Sequence, residues 1–176
     1  FDALGALRHL TGRGDSSSWF VLNRQIMETE FALSGSDQNP DLTGKDLRLL
    51  AERVLPGAVG PVARFAQESE DFVWAPTVRE LAARMNALTG EDRIDAGALE
   101  RIVALRDAQV TSGLGKDPQV VATARAREFV VDRLIRVAPP RPFTTPDDGP
   151  LLAVRLRVLT RKTLGGLHTD VDGRVL

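Results

Sequence analysis

Apolar positions along the chain repeat with two different periods, and the change from one to the other divides the sequence. Through most of it the helical spacing dominates. Ala3, Leu4, Leu7 and Leu10 fall on one face and predict a short helix over residues 2–10, with a Gly/Ser-rich loop from Thr11 to Ser18 after it. Trp19-Phe20-Val21-Leu22 is aromatic and β-branched, the composition of a strand. Residues 26–33 read as helical, and residues 34–44 collect Ser, Gly, Asn, Pro and Asp, which is a loop. Leu47, Leu50, Ala51 and Val54 predict an amphipathic helix over residues 45–55, closed by Pro56-Gly57. A second helix is expected over residues 59–69, and Phe72-Val73-Trp74-Ala75 reads as a short extended piece. Thr77-Val78-Arg79-Glu80 has the spacing of a capping box, and the helix it opens carries Leu81, Met85 and Leu88 to Gly90. Asp95 caps the next helix, in which Leu99, Ile102, Val103 and Val110 are expected to make one stripe. Pro118 suits the first turn of a further helix through Val120, Ala124, Phe129, Val130 and Leu134.

Pro139, Pro140 and Pro142 stop helix formation, and the proline-rich stretch up to Pro150 is the best internal boundary. The period then shortens. Residues 151–159, LLAVRLRVL, carry β-formers and little helical periodicity. Gly165 and Gly166 interrupt the strand pattern, which marks either a bulge or bend, or a point where a ligand approaches bare backbone. Leu167, Thr169 and Val171 alternate with His168 and Asp170, Asp172-Gly173 signals a hairpin turn, and Arg174-Val175-Leu176 begins a returning strand. So short a second strand points to a truncated hairpin and hence to a fragment. The fold expected is α+β, a mostly helical body with a small antiparallel sheet, plus that hairpin.

Composition removes several classes of function. A formal charge of −1 over 176 residues gives no electrostatic case for nucleic acid. Arginines interleave with acids, the pattern of a solvated surface, and Glu68, Glu70, Asp71 and the Glu28/Glu30 pair are expected to face solvent. There is no cysteine, so disulfides and thiolate chemistry are out. Apolar runs fall short of a membrane helix, so no membrane insertion is expected and the chain reads as soluble and cytoplasmic. The two histidines, His9 and His168, have no metal spacing. Neither phosphate-binding glycine pattern occurs, and Gly113-Leu114-Gly115-Lys116 lacks the required spacing. Arg13-Gly14-Asp15 matches an integrin-binding tripeptide by chance.

Thr163-Leu164-Gly165-Gly166-Leu167, then Thr169-Asp170, then Arg174-Val175-Leu176 resembles the T-x-G-G-L-x-T-D-x-x-x-R-V-L segment of the flavoproteins related to fumarate reductase and 3-ketosteroid dehydrogenase. Residues 31–36, 38–44 and 115–119 are similar to the cap of actinobacterial FAD-binding dehydrogenases. The resemblance implies a capping, substrate-binding domain over residues 1–147 and the start of the returning FAD-binding segment over 148–176. It implies FAD as cofactor, bound mainly by parts outside this chain, with Thr163, Leu164, Gly165 and Gly166 presenting backbone beside the flavin. Where many fumarate reductases have a histidine before the matching threonine, this chain has Lys162, preceded by Arg161. These two cations are the candidate catalytic residues, able to hold an acidic substrate or an oxyanion; the other reading is a solvated basic edge. No tyrosine occurs, so tyrosines of the ketosteroid arrangement would have to come from outside these residues. The implied partners are a small-molecule substrate and the rest of the FAD-binding domain, and the isolated stretch is expected to be inactive. The alternative from another class is a non-catalytic helical interaction module.

Overall fold

The computed structural model describes residues 3–31, 47, 55, 57–130, 140–158 and 168–175. The chain forms two compact units, one from Trp19 to Arg155 and one from Asp2–Ser18 with Leu156–Leu176.

Three strands organise the fold: β1 (Ser17–Asn23), β2 (Phe72–Ala75) and β3 (Leu151–Arg157), in the order β1-β3-β2. β3 runs antiparallel to β2, with Phe72 opposite Val154 and Ala75 opposite Leu151. It is antiparallel to β1 as well, because the Arg24 N–H donates to Pro150 O at 3.0 Å and the Val158 N–H to Ser16 O at 2.8 Å. Two strands thus precede the proline-rich connector, and the middle one follows it.

Alternate strand residues point to opposite faces, and here both faces are covered. On one, Val73, Ala75, Leu151 and Ala153 pack with Leu81 and Met85 of α4 (Val78–Thr89) and Val103 of α5 (Ala96–Ser112). On the other, Leu22, Leu152 and Val154 pack with Met27 of α2 (Arg24–Glu30) and with Val59 and Val62 at the start of α3 (Gly60–Glu68). Leu152 and Ala153 are 0% exposed, so residues 151–154 read as an unbroken apolar run rather than an alternation.

Side-chain caps fix where helices begin. The Asn23 carboxamide oxygen accepts from the Ile26 N–H at 3.0 Å and starts α2 two residues earlier than the apolar pattern indicates. Thr77 Oγ1 accepts from the Glu80 N–H at 3.2 Å, and its hydroxyl donates to Glu80 Oε1 at 3.3 Å, so the expected capping box closes through the hydroxyl. Gly90 ends α4 at φ 68°, the left-handed conformation that glycine adopts without strain. Thr77→Ala is expected to lower stability by about 1 kcal/mol, read as a shift of the urea midpoint at constant slope.

Several expectations need correction. α1 (Ala3–Gly12) runs past Leu10, with the Thr11 hydroxyl donating to Leu7 O at 2.9 Å, and β1 starts at Ser17, so the loop between them is shorter. In α5 the inward row is Leu99-Val103-Asp107, spaced by four, which turns Ile102 outward to 63% exposure. The helix opened by Pro118 is α6 (Pro118–Ala126), capped by Asp117. It stops before Phe129, where the Glu128 and Phe129 N–H groups bond three residues back, to Arg125 O and Ala126 O, and Val130 is again helical. Leu134, the loop over 34–44 and most of the helix over 45–55 lie outside the described residues. Glu30 does not face solvent alone; it pairs with Arg127.

In the smaller unit the terminal hairpin closes through a Thr169–Val175 bridge. Its loop is the three residues Val171-Asp172-Gly173. The Asp170 N–H donates to Arg174 O at 2.9 Å, and Gly173 takes φ 79°. The Asp170 carboxylate accepts from the Asp172 and Arg174 N–H groups, both at 2.9 Å, and so shapes the turn.

Candidate functional site

Among the described residues the buried polar side chains are Asn23, Asp107 and Asp148, and all three bind or belong to the connector over residues 140–150. Asp107 is the centre. Its Oδ1 accepts from the Phe143 N–H at 2.8 Å and from Arg106 at 3.0 Å. Its Oδ2 accepts from the Thr144 N–H at 3.1 Å and the Thr144 hydroxyl at 2.8 Å. The Arg106 guanidinium lies 3.5 Å from the centre of the Phe143 ring and donates to Arg141 O at 3.1 Å. Burial pulls the Arg106 pKa below its ordinary value, while its hydrogen bond and charge contact with Asp107 oppose the fall. From the junction of β1 and α2, the Asn23 amide donates to Pro142 O and Phe143 O at 3.4 Å each.

The connector is thus clamped from two sides, and an ion pair crosses it. Arg141 meets Asp148 Oδ1 at 3.1 Å, with the Asp148 side chain 5% exposed. Beside the clamp lies a groove of about 730 Å³. Its walls are Pro76 and Val78 at the start of α4, Val103 and Ala104 of α5, and Phe143 and Pro150 of the connector. Glu100 also lines it, with Oε2 2.7 Å from Arg79. The carboxylate of Asp107 has its acceptor positions filled, so it anchors backbone and does not serve as a free base.

The candidate residues Arg161, Lys162, Thr163, Leu164, Gly165 and Gly166 all lie outside the described residues. What is described is the strand that leads toward them and the hairpin that follows, where His168 is exposed. His9 is exposed as well, and no His, Asp and Glu group suited to a metal occurs among the described residues. None of the described helices is long and apolar enough to cross a membrane. Sequence reasoning missed Asp107 and Asn23. The signal for Asp107 was present: a carboxylate four residues beyond Val103 and eight beyond Leu99 sits on the helix's inward row.

The family model described as "FAD binding domain" matches residues 5–176. The chain belongs to that family. As a member of the FAD binding domain family it has long relatives. It is 47% identical over 176 residues to a "KsdD-like steroid dehydrogenase" of Mycolicibacterium smegmatis, a match covering all of this chain and 32% of that protein. Two proteins of Mycobacterium tuberculosis strains with the same descriptive name are each 48% identical over 177 residues, covering all of this chain and 31% of each. The chain therefore spans about a third of the length of these relatives. No solved structure matches it. The side chains of Asp107 and Asn23 are committed to the connector.

Proposed function

We propose that this chain is the capping region and the adjoining return segment of a flavin-dependent dehydrogenase that acts on a steroid. The observation that carries the reading is the FAD binding domain match over residues 5–176, joined to steroid dehydrogenases of nearly half identity along the whole chain. Residues 1–147 serve as the cap and 148–176 as the start of the segment returning to the flavin. Thr163, Leu164, Gly165 and Gly166 present backbone N–H groups to the cofactor, the glycines allowing close approach. Bound FAD supplies the acceptor for a hydride. The substrate gives up that hydride from one carbon and a proton from its neighbour, the proton passing to a general base supplied by the rest of the protein, which leaves a double bond beside a carbonyl.

The donors proposed for a carbonyl oxygen are Arg161 and Lys162, which directly precede Thr163. Charged donors stabilise the negative charge that develops there as the proton leaves. The substrate and the rest of the FAD-binding domain are the partners, the protein works in the cytoplasm, and the 176 residues alone are inactive. An absorption spectrum of the full-length protein, purified without added cofactor, tests this. The expected result is a yellow protein with the paired visible and near-ultraviolet bands of oxidised flavin. A colourless protein that also ignores added FAD sinks the reading.

A further inference from the structure

We draw no further inference here: the strongest candidate, the groove between the start of α4, the middle of α5 and the connector, is lined by neither of the buried side-chain atoms left without a partner, Arg141 Nε and Asp148 Oδ2, and nothing among the described residues shows what fills it.

Discussion

Asp107→Ala is expected to destabilise the protein by about 3 kcal/mol, the cost of breaking a buried charge pair by removing one partner. The carboxylate accepts four hydrogen bonds, from the backbone of Phe143 and Thr144, the Thr144 hydroxyl and the Arg106 guanidinium. Truncation leaves the partly buried Phe143 and Thr144 N–H groups without their acceptor and a half-buried cation without its nearest counter-charge, each an unfavourable state rather than a lost bonus. Asp107→Asn keeps the shape and half of the acceptor capacity, so its cost is expected to lie between wild type and alanine. Urea unfolding gives the size of the effect. Amide hydrogen exchange gives its place, because Phe143 and Thr144 should lose protection well before the central strand β3 does. A cost near that of an ordinary surface change, about 0.5 kcal/mol or less, would show that the connector is held by its prolines and not by this clamp.

That clamp marks the limit of what the amino-acid pattern reveals. Elements defined by local chemistry were legible: the four residues of β2, the Thr77 cap and the Gly90 stop, the Asp95 cap, and the turn around Gly173. Each depends on residues close in sequence, through hydrogen-bond geometry or allowed φ values. What depended on distant partners was not legible. Ile102 matches the helical period as well as Val103 does, and only the distant partners of α5, the sheet, α4 and the connector bound by Asp107, decide which of them faces inward. Glu30 looks like a solvated acid until Arg127 arrives across 97 positions. The alternation in β3 is hidden because α4 and α5 cover one face while α2 and α3 cover the other. The segment proposed to meet the flavin, Thr163 to Gly166, falls within the stretch that the family model matches but lies outside the described residues, so its part in the site stays a proposal.

Replacing both Arg161 and Lys162 by alanine in the full-length protein is expected to lower kcat/KM about a hundredfold, the usual effect of removing a donor aimed at developing negative charge. The flavin should stay bound, since the backbone of Thr163–Gly166, not these side chains, is proposed to meet it. Retained absorbance with lost turnover is therefore the signature of a substrate-side role. The solvated-edge reading predicts unchanged kinetics with unchanged absorbance, so the two differ in one experiment. Lys162→Arg adds a second axis: a point charge suffices to stabilise an oxyanion, and the guanidinium's fixed fork would restore part of the rate only if its geometry suits the carbonyl. Substitution of Gly166 by valine should act in the opposite way. A branched side chain blocks close approach of the cofactor to the backbone, so the absorbance falls first and the turnover with it. If the double alanine variant loses the flavin as well, the cations hold the cofactor, and the donor to the substrate carbonyl has to be sought outside this chain.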